Sequence, residues 1–147
     1  MVGIFTHAPV LTTFKAKGLI SDHHPLAAGV LGRSGTPVAS WFMNESDLLI
    51  VLGASFSNHT GITPKKPTIQ VDSDPMALGK FHSFDVPVLG DIGVTLDLVK
   101  ELLTDSDKRI DQRSELEDRW DIWKAEKNKR RMEDHNNGIG CICNRTC

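Results

Sequence analysis

The residues whose types and spacing could do chemistry are three aspartates and a set of glycines. Asp72 and Asp74 close the apolar run TIQVDSD, Gly53 closes LLIVLG, and Gly90-Asp91 closes VPVLGD. Aliphatic and β-branched runs without alternation are what a parallel sheet covered on both faces needs. In such sheets ligands sit in the crevice beyond the carboxyl ends of the strands, where Gly53, Ala54, Ser55, Asp72 and Asp74 are expected to cluster. A carboxylate at a strand end can accept hydrogen bonds from ribose hydroxyls. In the stretch LGRSG, Gly32 and Gly35 let backbone amides approach a phosphate, and Arg33 adds a fixed positive charge. A helix opening at Thr36-Pro37 offers a favourable dipole to an anion. The combination points to a nucleotide-type pocket or the inherited shape of one. The bland alternative is that Gly53 only ends a strand, Asp74 and Asp91 only cap helices, and Arg33 is an ordinary solvated side chain.

Other reactive types offer less. His23 and His24 precede Pro25 in a loop, His59 and His82 stand alone, and no pair has helical metal-ligand spacing, which leaves them surface or structural roles. Ser55 and Ser57 have no identifiable base and acid partners, so nucleophilic catalysis is not expected. Cys141, Cys143 and Cys147 all fall in the terminal stretch CICNRTC. They lack the paired clusters of a zinc ribbon and read as an unstructured, oxidisable tail.

The elements that must position these residues follow from length and order. A chain of 147 residues with 39% hydrophobic and 24% charged content has room for one domain and an appendage. A formal charge of -2 gives no electrostatic case for nucleic acid or an anionic membrane. No apolar run approaches a bilayer span, and the start MVGIFTHAP lacks a signal-peptide pattern, so a cytoplasmic protein is expected. The glycosylation tripeptides at Asn44, Asn58 and Asn144 then read as chance.

Along the chain, PVLTTF (9–14) reads as a short strand followed by a loop through Lys15, Lys17 and Gly18. A brief strand is expected near Ala28 to Leu31. Thr36 as N-cap and Pro37 at the first helical position open a helix to about Asn44, with Val38, Trp41 and Phe42 facing the sheet. After the two central strands, Asp74-Pro75 repeats the cap-then-proline signature and predicts a short helix ended by Gly79. Phe84 to Leu89 reads as a strand. The helix that follows runs to about Leu103 and carries Ile92, Thr95, Leu96, Val99, Leu102 and Leu103 on one sheet-covering face. Strand-helix alternation with right-handed crossovers makes this an α/β fold with a parallel sheet flanked by helices.

Composition changes after Leu103: residues 104–134 hold 9 of the 17 Lys and Arg and 10 of the 19 Asp and Glu, which marks a solvated segment. Ser114 and Glu117 form a capping box for a charged helix to about Met132, supported by Glu115–Arg119 and Glu126–Arg130 pairs. Its apolar stripe is Leu116, Trp120 and Trp123. Either these tryptophans dock on the domain, or the helix is a linker arm that packs on a neighbour. The expected divisions are therefore 1–103, 104–134 and 135–147.

Five ordered blocks carry a resemblance: TTFKAKG, DHHPLAAGVLGRSG, DLLIVLGASF, IQVDSDP and VPVLGDI. In this order and spacing, residues 9–103 resemble the central domain of thiamine-diphosphate-dependent enzymes, the pyruvate oxidase and acetolactate synthase type above all. The resemblance implies a Rossmann-like parallel sheet. It implies that thiamine diphosphate and Mg²⁺ sit between two outer domains, pyrimidine-binding and pyrophosphate-binding, so that this domain carries no catalytic residue. It further implies that the family's domain opens with a glycine-containing strand and helix, whereas this sequence begins just afterwards, as a truncated or split piece would.

In the FAD-binding members of this family, the loops matching Thr13, Phe14 and Lys15, then Gly32, Arg33, Ser34 and Gly35, then Asp72, Asp74 and Asp91 surround the dinucleotide. In several decarboxylases of the family the same fold binds nothing, so the resemblance implies either an FAD-binding or a scaffold module. Gly90-Asp91-Ile92 is similar to the GDG opening of the family's Mg²⁺ motif but departs at Ile92 with no asparagine at the right distance, so no metal is expected. Expected partners are the outer domains of a split enzyme or further copies of the chain. The competing readings are a self-standing nucleotide-binding enzyme such as a sirtuin-like NAD-dependent deacylase, and an interaction module using Trp120 and Trp123.

Overall fold

A computed structural model describes residues 7–55, 57, 60, 66–103 and 110–136; His59, Asn58 and the three cysteines lie outside the described residues. The elements are β1 (Val10–Thr12), β2 (Ala27–Val30), α1 (Pro37–Glu45), β3 (Leu49–Leu52), β4 (Thr68–Asp72), β5 (Val86–Leu89), α2 (Ile92–Leu102) and α3 (Arg113–Asn136), with a 3-10 turn at Phe14–Ala16. Each strand pair is parallel, which is the α/β architecture expected from the order of the runs. The strands form two sheets rather than one, β1-β2 and β3-β4-β5.

The helix α1 holds both sheets. Thr36 caps it, its hydroxyl accepting from the Ala39 amide at 3.3 Å, and Pro37 occupies the first turn. Val38, Ala39, Phe42 and Met43 then fall on one buried face. Ala39 and Met43 join Leu31 and Val51 in a core flanked by Leu11 of β1 and Leu49 of β3. At the other end the Lys66 ammonium donates to the Asn44 and Ser46 carbonyls, a cation at the negative end of the helix.

A second core forms where α3 lies back on β2 and α1. Leu116, only 1% exposed, sits among Leu26, Ala28, Val38 and Phe42, with Trp120 and Trp123 packed against the cluster. The spacing of 116, 120 and 123 puts the three on one helical face. Trp120 meets Trp123 edge-to-face at 5.4 Å, and the Arg119 guanidinium stacks 3.8 Å over the Trp41 ring. Gly29, at φ +89°, makes this approach feasible, because a Cβ there would lie 2.6 Å from Thr36 Oγ1 and 3.2 Å from Trp120 Cη2. Trp120 and Trp123, both half-buried, therefore pack within the chain.

Several local expectations are corrected. Residues after Asp74-Pro75 form successive turns, not a helix; the Asp74 carboxylate accepts from the Met76 amide, and Gly79 at φ +69° closes the turn before a helix can propagate. α3 begins at Arg113, ahead of the expected capping box, because Asp111 accepts from the Arg113 amide at 3.1 Å. It runs past Met132 to Asn136. The face of α2 is thinner than its pattern implies: Ile92, Thr95 and Leu96 are half-buried, while Leu102 is 82% exposed and no residue of the helix is fully buried.

Candidate functional site

The parallel register brings the carboxyl ends of β3, β4 and β5 to one rim. Leu52 stands opposite Val71, and Asp72 opposite Leu89. The ladder continues one step further, with the Gly53 amide donating to Val71 O at 2.9 Å and the Gly90 amide to Asp72 O at 3.0 Å. Gly53, Asp72 and Gly90-Asp91 therefore share a rim, as expected. Gly53 sits at φ +60°, and a Cβ there would come within 2.8 Å of Ile92 Cδ1, so the glycine turns the chain and admits α2.

Each carboxylate on this rim already has backbone work. Asp72 Oδ1 accepts from the Asp74 amide at 3.0 Å, and Asp74 Oδ1 accepts from the Met76 amide at 2.9 Å. Asp91 caps α2, its Oδ1 accepting from the Val94 amide at 3.0 Å. The bland alternative is thus the geometry observed for Asp91, and for Asp74 in the form of a turn instead of a helix. The Asp91 carboxylate thus serves the start of α2 through one of its two oxygens. Among the described residues no cluster of three or more His, Cys, Asp or Glu side chains could hold a metal ion.

Gln70 is the residue that sequence reasoning missed. It is fully buried. Its amide Nε2 donates to Ala54 O at 3.4 Å and Ala77 O at 3.2 Å, while Oε1 accepts from the Gly79 amide at 2.9 Å. One side chain thus ties the loop after β3 to the turns after β4, fixing two walls of the rim. The signal was present in TIQVD: a polar residue in a strand expected to be buried on both faces must find partners.

A second rim forms at the ends of β1 and β2. The Leu31 amide donates to Thr12 O at 2.8 Å, which brings the loop 31–35 beside Thr13, Phe14 and Lys15. Phe14 is 59% exposed, and Lys15, Arg33 and Ser34 are exposed as well. Gly32 adopts φ +137° and accepts from the Gly35 amide at 2.9 Å; a Cβ on Gly35 would strike Val30 O at 2.2 Å. These glycines are required by the tightness of the turn itself. The start of α1 has little left for an anion: Thr36 takes the Ala39 amide, and Pro37 has no N–H. The two exposed cations, Lys15 and Arg33, give this rim phosphate-compatible charge.

His24 is also structural, its Nδ1 accepting from the Leu26 amide at 3.1 Å in the turn before β2.

Residues 5–99 match the family described as "Thiamine pyrophosphate enzyme, central domain". The chain belongs to this family. Over 100 residues it is 42% identical to a Methanococcus aeolicus protein named "Probable acetolactate synthase large subunit", covering 64% of this chain and 17% of that protein. A Methanocaldococcus jannaschii protein of the same name is 38% identical over 105 residues, covering 67% and 18%. The acetolactate synthase large subunit of Parasynechococcus marenigrum is 37% identical over 99 residues, covering 64% and 16%. The chain therefore spans about a sixth of the length of these relatives. The match does not favour the deacylase reading. Nor does it favour the interaction-module reading, whose Trp120 and Trp123 are half-buried against the core. No helix among the described residues is long and apolar enough to cross a membrane.

Proposed function

We propose that this chain is the scaffolding central module of a thiamine-diphosphate-dependent enzyme of acetolactate synthase type, and that the reaction centre lies on other domains. The parent chemistry would be decarboxylation and carboligation of a 2-oxo acid, with thiamine diphosphate, held elsewhere with Mg²⁺, as the electron sink. The observation that carries this reading is the family match over residues 5–99 on a rim whose carboxylates are engaged in turns and a helix cap. Such a rim has structural work to do, which supports a scaffolding role.

The test supplies the missing portions. The chain alone, given pyruvate, thiamine diphosphate and Mg²⁺, is expected to form no acetolactate. Co-expressed with the parts of the Methanococcus aeolicus relative that flank the matched region, it is expected to restore product. Turnover by the chain alone would overturn the proposal, as would a reconstituted assembly that forms without it and is equally active. FAD is the finer alternative, favoured by the exposed Arg33 and Lys15 beside the Gly32–Gly35 turn. Flavin absorbance in the assembled complex, lost in an Arg33→Ala variant, would support it.

A further inference from the structure

The charge of α3 is divided end to end. Residues 115–121 hold four carboxylates and one cation, while residues 124–131 hold five cations and one carboxylate. Within the helix Glu115 pairs with Arg119, Asp121 with Lys124, and Glu126 with Arg130. Asp118 and Lys129 have no such partner among the described residues.

These two share a face with the exposed apolar side chains of the helix. Asp118, Ile122, Ala125, Lys129 and Met132 follow one another at spacings of four, three, four and three, the repeat of a seam that packs on another helix. At about 100° per residue, this seam lies about 140° around the axis from Leu116, Trp120 and Trp123, which hold α3 to the domain. It therefore faces away from the core of its own chain. Ile122 is 59% exposed and Met132 71%, and Asp118, Ala125 and Lys129 are exposed as well.

We propose that this outer face of α3 pairs antiparallel with α3 of a second copy of the chain. Asp118 and Lys129 lie equally far on either side of the point between Trp123 and Lys124. A two-fold axis through that point sets Asp118 of each copy against Lys129 of the other, and Ile122 of each against Ala125 of the other. The acidic half of one helix then runs along the basic half of its partner, and the two helix dipoles oppose. Parallel pairing would instead bring Asp118 to Asp118 and Lys129 to Lys129. One pair of unlike charges in an apolar seam fixes orientation and register at some cost in affinity. The face is complementary to itself, and this makes a second copy its occupant. The seam uses no residue of either rim, so it stands apart from what the rims bind.

Sedimentation equilibrium of the full chain, at low salt and under reducing conditions that prevent pairing through Cys141, Cys143 or Cys147, is expected to show a monomer–dimer equilibrium that salt weakens. Asp118→Lys and Lys129→Asp, both on the exposed face, are each expected to weaken the dimer at least about tenfold, because like charges then meet in the seam. Mixing the two variants, or combining both changes in one chain, opposes unlike charges again and is expected to return dimerisation to within about threefold of the unaltered chain. A carbodiimide, which joins a carboxylate directly to an amine, needs no substitution. It is expected to link Asp118 to Lys129 between isotopically light and heavy copies. A chain that stays monomeric up to about 500 μM would overturn the proposal and leave the face to a different polypeptide. So would a dimer that neither single variant weakens, which would be built on another surface such as the exposed Leu98 and Leu102 of α2.

Discussion

The indole nitrogen of Trp120 donates to the carbonyl of Ala27 across 93 positions of sequence, at 2.8 Å. This bond pins a highly charged helix to the outer edge of β2 and satisfies a strand carbonyl that would otherwise face water. Trp120→Phe keeps most of the ring and removes the donor. It is expected to lower stability by about 1 kcal/mol in urea unfolding, the net value of one such bond. Leu116→Ala, which empties the neighbouring core position, is expected to cost about 2–5 kcal/mol. A larger loss in Trp120→Phe than in Leu116→Ala would mean that α3 is held by Trp120 more than by the apolar contact of Leu116.

Gln70 offers a sharper test of the rim. Gln70→Leu preserves volume but leaves Ala54 O and Gly79 N without their partner, and Ala77 O with only the 3.4 Å bond from the Lys80 amide. The expected loss is about 1–3 kcal/mol or more, since each buried group left unpaired carries its desolvation cost. Amide exchange at Gly79 should rise more than exchange in β1. A neutral outcome would show that the two loops hold their positions without the clamp.

Two glycines are expected to respond differently to alanine. At Gly35 the added Cβ meets backbone, Val30 O at 2.2 Å, so the turn itself must open. At Gly53 it meets only the tip of Ile92, at 2.8 Å, and the main cost is a left-handed backbone, about 1–2 kcal/mol. Thermal unfolding should therefore place Gly35→Ala well below Gly53→Ala, and Ile92→Val should recover part of the Gly53→Ala loss.

Asp111 gives the pH prediction. Hydrogen bonding to the Arg113 side chain, first, and to its backbone amide holds this carboxyl down at about 2 from an ordinary 3.8. A depressed folded value means that the stabilisation is present above the ordinary value and fades as pH falls through about 2. NMR titration of the Asp111 carboxyl should show the low midpoint, and Arg113→Ala should move it upward toward 3.8. An unchanged midpoint would assign the shift to something other than Arg113.

The parts of the fold that rest on local chemistry were readable in the sequence. Thr36-Pro37 opens α1 because a hydroxyl and a proline suit a helix start, and LLIVLG and TIQVD form strands as their short β-branched, aliphatic runs suggest, although Ile50 is 45% exposed. What escaped depends on contacts distant in sequence. Asp74-Pro75 has the signature of a cap, but Gln70 binds Ala77 O and Gly79 N in a turn before a helix forms. The α2 pattern, Ile92 to Leu103, is amphipathic enough to cover a sheet, yet only its first turns rest on one. At the rim, residue types alone leave Asp72, Asp74 and Asp91 equally suited to ribose or to backbone amides. The distances show one oxygen of each accepting from a backbone amide.

Gly29 places a limit on how this chain can vary. Where it passes beneath Thr36 and Trp120, the space left is that of a hydrogen atom, and its φ of +89° is one that residues with a side chain rarely adopt. A saturation library read out by solubility should therefore show position 29 as a blank column, although no ligand, charge or reactive group is found there. Such intolerance at a chemically silent site records the path by which the last helix was laid across the sheet.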